Sequence, residues 1–188
     1  KYIWKTKFKY EDLFHIVPFL DFNQYYFTFD LESGYHHVDI FPLHQKFLGF
    51  SWLYPNSVRK YYVFTVLPFG LSSASHLFTK LTRPLVHFWR QQGLQAFMYI
   101  DDGLIISPNL DSANANRALV QNSLSLSGFV ASKTKCHWDS VNKIQYLGLI
   151  IDSTTFRFYI PQAKLVKVLA TISELVLAYN SRSEEHTS

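Results

Sequence analysis

Short apolar runs separated by turn-forming residues recur along the chain and predict strands. The runs are rich in aromatic and β-branched residues, as strands usually are. We predict strands over residues 24–31, 47–53, 60–67, 95–100, 104–107, 129–131, 144–152 and 156–160. In addition, residues 35–40 alternate apolar and polar side chains, which favours an extended segment there.

Helical periodicity marks the segments between these strands. A short, weak pattern surrounds residues 12–15, and long patterns cover residues 73–92, 111–127 and 162–179. In the two middle helices, apolar spacing predicts the buried residues. These are Leu77, Phe78, Leu81, Leu85, Phe88 and Trp89 in the first, and Ala115, Leu119 and Leu126 in the second.

Local signals also predict where these elements begin, end and turn. Ser72 and Ser73 can cap the helix over residues 73–92, and Pro84 predicts a kink or break inside it. The dipeptide Asp102-Gly103 is a strong hairpin signal between the strands at 95–100 and 104–107. A turn there would place Asp101 and Asp102 at an exposed hairpin tip.

The order of elements predicts an α+β domain in which helices cover one face of an antiparallel sheet. The chain has 188 residues, of which 48% are hydrophobic and 17% charged, so a single packed core is expected. Residues 181–188 are polar and lack periodicity, so we predict that this tail frays.

Charge and cysteine content narrow the classes of function. The formal charge of +4 suits a polyanionic partner without requiring one. Cys136 is the single cysteine, which excludes an internal disulfide and favours an intracellular location. No apolar run is long enough for a transmembrane helix.

Three carboxylates carry the candidate chemistry. Asp30 ends a strongly apolar strand, and Asp101 and Asp102 follow another one. Each alone is equally explained by a cap or a solvated turn. Together, three carboxylates at strand ends would repel one another, and divalent cations would relieve that repulsion. Two Mg²⁺ ions held by shared carboxylates catalyse in-line displacement at phosphorus.

Five motifs follow one another in a fixed order between residues 10 and 160. They are the segment from Phe29 to Val38, the segment from Tyr62 to Ala74, Tyr99-Ile100-Asp101-Asp102, the segment from Gly128 to Cys136, and Tyr146-Leu147-Gly148. This order resembles the reverse transcriptases of retroelements. The segments around Phe47, Phe78 and Arg83 are most similar to tyrosine-recombinase (DIRS-type) retrotransposons, and next to gypsy-type elements.

The resemblance implies a right-hand polymerase palm with partial fingers and the start of a thumb. It implies a remnant of the fingers over residues 1–9 and a fingers insertion over 38–70. The palm would comprise residues 10–37 and 71–155, and the thumb would begin over residues 156–180. Residues 181–188 would form a disordered tail.

The resemblance also implies a role for each motif residue. Asp30, Asp101, Asp102 and the backbone carbonyl of Leu31 would hold two Mg²⁺ ions, with Mn²⁺ as an alternative metal. The nucleotide would be bound by Tyr35, Phe69, Gly70 and Lys135. The primer would be gripped by Tyr146, Leu147 and Gly148.

Plainer explanations stay open for several of these residues. Tyr35 could be a core aromatic rather than a gate against the ribonucleotide 2′-hydroxyl, and Phe69 could belong to a simple turn. Lys135 could be a surface lysine, with Lys133 competing for its role. The family often has Pro where Ser75 stands. His36 and His37 are not expected to share one metal site, because neighbouring side chains on a strand point to opposite faces.

The implied function is RNA-directed DNA polymerase activity within a retrotransposon polyprotein. Its partners would be an RNA template, a DNA primer, deoxynucleoside triphosphates, and the RNase H and recombinase or integrase regions of that polyprotein, with no membrane. Two alternatives remain open at this stage. One is an RNA-dependent RNA polymerase, and the other is a decayed or co-opted palm that binds nucleic acid without activity.

Overall fold

The computed structural model describes residues 9–185, with side chains placed through residue 179. Residues 1–8 of the predicted fingers remnant and residues 186–188 of the predicted tail lie outside this range. The described helices are α1 (Leu13–Ile16), α2 (Pro42–Gln45), α3 (Ala74–Gln91), α4 (Leu110–Leu126) and α5 (Gln162–Glu185). Short 3₁₀ helices cover Val17–Phe19 and Gly34–His37.

Three antiparallel sheets account for the described strands. The central sheet has the order β4-β5-β1-β6, and separate sheets contain β2-β3 and β7-β8-β9. The strands are β1 (Tyr25–Asp30), β2 (Gly49–Leu53), β3 (Arg59–Val63), β4 (Gln95–Tyr99), β5 (Asp102–Ser107), β6 (His137–Val141), β7 (Lys143–Tyr146), β8 (Leu149–Asp152) and β9 (Arg157–Tyr159). The α+β class predicted from the order of elements is confirmed.

The two faces of the central sheet bury different clusters. Because side chains alternate along a strand, Phe27 and Phe29 point to one face, where they pack with Phe78 and Trp89 of α3 and with residues of α4. Tyr26 points to the other face, toward residues of β7 and β8. The long helices α3 and α4 therefore cover one face of the sheet, and Asp30, in phase with Tyr26, belongs to the other face, where Ile16 of α1 also packs.

The outer edge of the central sheet is covered by an ion pair. Arg90 donates hydrogen bonds to the Ala96 carbonyl at 2.9 Å and 2.7 Å, and to Glu11 at 2.8 Å. The Glu11 carboxylate accepts the Met98 amide of the same edge strand at 3.2 Å. These side chains bind backbone groups of β4 that another strand would otherwise use, which protects the edge from pairing with a second chain.

The sequence predicted a kink or a break at Pro84, and the break is absent, because α3 runs through this residue without interruption. Pro84 lies on the exposed side of α3, where water can satisfy the carbonyl that it leaves without a donor. The predicted cap is also wrong in detail, since Ser73 occupies the cap position without a side-chain hydrogen bond.

The buried faces of α3 and α4 differ from those predicted. The buried residues are Ala74, Phe78, Thr82, Val86 and Trp89 in α3, and Ala113, Val120, Ser123 and Leu124 in α4. Phe78 and Trp89 are therefore buried as predicted, whereas Leu77, Leu81, Phe88, Ala115 and Leu126 are exposed. Apolar spacing alone misplaced these faces because it cannot distinguish a core position from an apolar surface position.

Several elements of the structure differ in type or length from those predicted. Residues 34–37 form a 3₁₀ helix rather than an extended segment, and β6 was not predicted. The predicted strand at 129–131 is reduced to a single bridge between Ala131 and Leu31. Residues 144–152 form the β7-β8 hairpin instead of one strand, and α5 extends over residues 181–185 of the predicted disordered tail.

The hairpin turn lies two residues earlier than Asp102-Gly103. Tyr99 pairs with Asp102, so Ile100 and Asp101 form the turn, and Gly103 belongs to β5 opposite Phe29. A Cβ atom at Gly103 would overlap the Phe29 ring. Glycine is therefore required at this position for close packing, and not for the turn that its sequence context predicts.

Gly103→Ala should destabilise the fold by about 1–3 kcal/mol, the usual range for overpacking a core. The measurement is the free energy of unfolding in urea. Gly49→Ala is the matched control, because a Cβ atom there would lie 3.6 Å from its nearest neighbour, an ordinary contact. Equal effects of the two substitutions would show that the Phe29 contact does not constrain residue 103.

Candidate active site

Strand pairing brings Asp30 and Asp102 together. The two residues are direct partners in the antiparallel register of β1 and β5, and side chains of such a pair lie on the same face of a sheet. Asp101 occupies the adjoining turn, and its carbonyl accepts the Leu31 amide at 3.0 Å. The three carboxylates predicted from the sequence therefore share one end of the central sheet.

Lys135 supplies the positive charge in this cluster. Its Nζ atom lies 3.3 Å from Oδ1 of Asp30 and 3.4 Å from Oδ2, to which it donates a hydrogen bond. Asp30 is only 7% exposed, and its Oδ1 atom accepts no hydrogen bond despite the nearby ammonium group. The Lys135 ammonium group, 3.3 Å from this oxygen, therefore offsets part of the cost of burying the carboxylate.

The electrostatics of the cluster favour bound positive charge. Burial, and then the charges of Asp101 and Asp30, raise the pKa of Asp102 to about 6. Burial and the charge of Asp30 also raise the pKa of Asp101. The hydrogen bond to Asp30 raises the pKa of Lys135, which keeps its ammonium group charged. The carboxylates thus carry more negative charge than Lys135 balances.

The turn between β4 and β5 is conformationally strained. Ile100 has a φ of 58°, a value that is rare for a β-branched residue. A positive φ at the first of two central residues is typical of a type II′ hairpin turn. Such strain concentrates at functional sites, where the surrounding structure holds it in place.

The predicted primer-grip residues lie beside the carboxylates. Tyr146 is buried and donates its hydroxyl to the Asp102 carbonyl at 3.0 Å. Leu147 and Gly148 form the tight turn between β7 and β8, with φ values of 47° and 78°. A cavity of about 310 Å³ is lined by these three residues together with Asp30, Asp102 and Lys135.

The predicted nucleotide-binding aromatics form a second group. The ring of Tyr35 lies 5.0 Å from that of Phe69 and 5.4 Å from that of Phe78, measured between centroids. Phe69 is 69% exposed, and Gly70 follows it with a φ of 83°. Tyr35 contacts the buried Phe78 on one side and the exposed Phe69 on the other. Its packing alone is therefore compatible with a core aromatic and with a gate against the 2′-hydroxyl.

The two groups adjoin at Gly34, where an added Cβ atom would lie 3.5 Å from that of Asp101. His36 and His37 do not share a site, since their rings contact Phe69 and Phe129 respectively. The reason given from the sequence was wrong, because they lie in a 3₁₀ helix and not in a strand.

Two contacts were missed by sequence reasoning. Cys136 places its Sγ atom 3.3 Å from the Asp30 amide, which donates to it. Ser75 places its hydroxyl 2.7 Å from that of Tyr35. The only sequence signal for Ser75 is its departure from the Pro that the family often has, and the structure supplies the partner.

The donor set fits a divalent cation chemically, but it is not arranged around a ready coordination centre. Carboxylate oxygens are the ligands that Mg²⁺ prefers, and Asp30 offers a buried oxygen without a hydrogen bond. Within the described part of the chain, no group of three or more His, Cys, Asp and Glu side chains is placed to hold a metal ion.

The sheet, its carboxylate-bearing hairpin and the helices behind it define a palm-like polymerase domain. The chain belongs to the reverse transcriptase (RNA-dependent DNA polymerase) family, whose sequence profile matches residues 7–151. Enzymes of this family generally use divalent metal ions.

A curated relative supports the assignment to this family. The chain is 28% identical, over 128 residues, to the "Retrovirus-related Pol polyprotein from transposon opus" of Drosophila melanogaster. The match covers 68% of this chain and 12% of that polyprotein. The chain thus spans a small part of the curated relative.

Solved structures show the same fold. The foamy viral protease-reverse transcriptase dRH in complex with double-stranded DNA has a TM-score of 0.72 at 21% identity, covering 89% of this chain and 27% of that one. The foamy viral protease-reverse transcriptase in complex with an RNA/DNA hybrid has a TM-score of 0.65 at 19% identity, covering 86% of this chain and 20% of that one.

None of the described helices is long and apolar enough to cross a membrane.

In the metal-free chain, Asp102 should make folding less favourable as the pH rises from about 4, the ordinary carboxyl pKa, to about 6, its pKa in the fold. In this window the native state keeps a proton that the unfolded chain has released, so raising the pH removes that stabilisation. Asp102→Asn should therefore gain stability relative to the parent as the pH rises, measured by urea unfolding in EDTA.

The control for this experiment is Asp139→Asn, since the Asp139 side chain is fully exposed. Its stability should stay parallel to that of the parent over the same pH range. A constant difference between Asp102→Asn and the parent from pH 4 to pH 7 would contradict the raised pKa.

Proposed function

We propose that this chain is the catalytic part of an RNA-directed DNA polymerase encoded by a retrotransposon polyprotein. It would transfer a nucleotide from a deoxynucleoside triphosphate to a primer 3′-hydroxyl and release pyrophosphate. The single observation that carries this proposal is the pairing of Asp30 with Asp102, with Asp101 in the adjoining turn. Membership in the reverse transcriptase family supports the same conclusion.

Two Mg²⁺ ions, or Mn²⁺ in their place, are the proposed cofactors. Asp30 and Asp101 would hold both ions, with Asp102 and the Leu31 carbonyl as further ligands. Such ions would activate the primer hydroxyl and neutralise the charge of the triphosphate. The raised pKa values of Asp101 and Asp102 support this proposal, because burial and then the neighbouring carboxylates disfavour their charged forms, and a bound cation would offset both effects.

The remaining site residues would act by placement and charge. Lys135, whose ammonium group lies beside Asp30, would turn toward the triphosphate and assist pyrophosphate departure. Tyr35 would lie beneath the incoming sugar and exclude a 2′-hydroxyl sterically, with Phe69 and Gly70 lining the pocket. Tyr146, Leu147 and Gly148 would hold the primer end near the carboxylates.

We further propose the following division of the chain. Residues 10–37 and 71–155 form the palm, residues 38–70 a fingers insertion and residues 156–180 the beginning of the thumb. This division is supported by the separate β2-β3 sheet and by α5, whose described side chains are all exposed.

An RNA template and a DNA primer are the proposed partners. Residues 40–100 contain six Lys and Arg and no Asp or Glu, whereas the rest of the chain holds 12 basic and 14 acidic residues. Exposed aromatic rings accompany this basic stretch on the β2-β3 hairpin. Phe50 and Tyr62 stack at 5.4 Å, and Lys60 lies 5.3 Å from the ring of Tyr54. Basic groups and aromatic rings together suit nucleic-acid strands.

The wider setting is proposed from the resemblance of the sequence motifs. A DIRS-type element, or next a gypsy-type one, would supply RNase H and recombinase or integrase regions in the same polyprotein. The protein would act inside the cell. The relatedness to a transposon Pol polyprotein supports this setting.

Asp101→Asn should reduce primer extension on poly(rA)/oligo(dT) with Mg²⁺ by roughly 100-fold or more, because it removes charge stabilisation at the reacting centre. Binding of the primer-template should stay within about twofold, since one charge among many backbone contacts is changed. Asp139→Asn serves as the control and should extend the primer as the parent does. Extension that survives Asp101→Asn would contradict the proposed mechanism, and absent extension by the parent would favour a binding-only palm.

Tyr35→Ala should increase incorporation of ATP relative to dATP, because removing the ring makes room for a 2′-hydroxyl. The measurement is addition of one nucleotide to a primer with each substrate. An RNA-dependent RNA polymerase is the alternative that this experiment tests. If the parent already uses ATP as well as dATP, Tyr35 is not a gate and the RNA polymerase alternative gains support.

A further inference from the structure

The hydroxyl groups of Tyr35 and Ser75 are in direct hydrogen-bond contact. Their oxygens are 2.7 Å apart, although the residues are 40 positions apart in the chain. The contact joins the 3₁₀ helix Gly34–His37 to the first turn of α3. Neither side chain is fully exposed, so the bond is partly shielded from competing water.

The other contacts of Tyr35 restrict its ring less sharply. Phe69 and Phe78 pack against it at centroid distances of 5.0 Å and 5.4 Å, tilted and edge-on. Aromatic pairs are favourable over a range of centroid separations of about 4.5–7 Å and in both offset-stacked and edge-on arrangements, so these contacts alone leave the ring some freedom. A hydrogen bond is directional, so the Ser75 hydroxyl defines where the tip of the Tyr35 ring lies.

Ser75 is well placed to act as a fixed anchor. It is the second residue of α3, and its neighbour Ala74 is buried. Phe78, one turn further along, is also fully buried. A Pro at this position, as the family often has, could not make the bond because it lacks a hydroxyl. The anchor is therefore a property of this chain rather than of the motif around it.

We propose that Ser75 is a positioning residue that holds the Tyr35 ring against the sugar of the incoming nucleotide and so sets the preference for deoxynucleotides. This inference rests on the proposed polymerase function. Tyr35 excludes the 2′-hydroxyl, and Ser75 limits how far the ring can move away. Loss of the Ser75 hydroxyl leaves the ring in place on average but lets its tip yield to a ribose.

The test compares equilibrium binding of dATP and ATP by the 188-residue chain on a primer-template with Mg²⁺. A dideoxy-terminated primer prevents reaction, and the two nucleotides differ only at the 2′ position. Ser75→Ala should reduce the preference for dATP by about 2–10-fold, the range that one net hydrogen bond supports. Single-nucleotide incorporation with an extendable primer should show the same reduction.

Four further variants separate positioning from a general structural effect. Ser75→Thr keeps a hydroxyl and should restore most of the preference, whereas Ser72→Ala changes an exposed serine nearby and should leave the preference unchanged. Tyr35→Phe removes the other half of the bond and should match Ser75→Ala. The double variant Tyr35→Phe with Ser75→Ala should lose no more preference than either single variant.

The outcomes distinguish this inference from the proposed function. If the parent prefers dATP and Ser75→Ala keeps that preference, the inference is overturned and the polymerase proposal stands. If Ser75→Ala weakens the binding of both nucleotides equally, Ser75 is merely structural and the inference is again overturned. If the parent binds neither nucleotide, the proposed function fails and the inference falls with it.

Discussion

The antiparallel register of β1 and β5 is the constraint on which the candidate active site depends. It places Asp30 directly opposite Asp102, an arrangement of like charges that by itself destabilises a sheet. A slip by one residue would move every side chain of β1 to the other face. The buried Phe29 and the missing side chain of Gly103 oppose such a slip, since the ring lies over the glycine.

The cluster around these carboxylates combines repulsion between buried like charges with a strained backbone conformation. Asp102 has a raised pKa, and Ile100 adopts a positive φ in the adjoining turn. Lys135 balances part of the negative charge through its ion pair with Asp30. The Tyr146 hydroxyl donates a hydrogen bond to the Asp102 carbonyl and so holds the hairpin in place. A site that is completed by cations and substrates is expected to be less stable without them.

Sequence reasoning was most accurate where local and tertiary requirements agreed. The core of β1, the helix at 110–126 and the carboxylate motifs were all recognised. It failed where a tertiary contact changed the meaning of a local signal. Asp102-Gly103 has the composition of a turn, yet the glycine is needed beneath Phe29. Pro84 is typical of a helix break, yet α3 continues through it, and this residue lies on the exposed side of the helix.

The sequence by itself determined the family and the identity of the candidate residues, because the motifs are short runs of residues whose order can be read without the fold. Only the tertiary structure decided how these residues meet. The strand register paired Asp30 with Asp102, and the packing of α3 brought Ser75 to the hydroxyl of Tyr35. These residues lie 72 and 40 positions apart in the chain, and contacts over such separations depend on the relative placement of whole elements, which no local pattern of residues specifies.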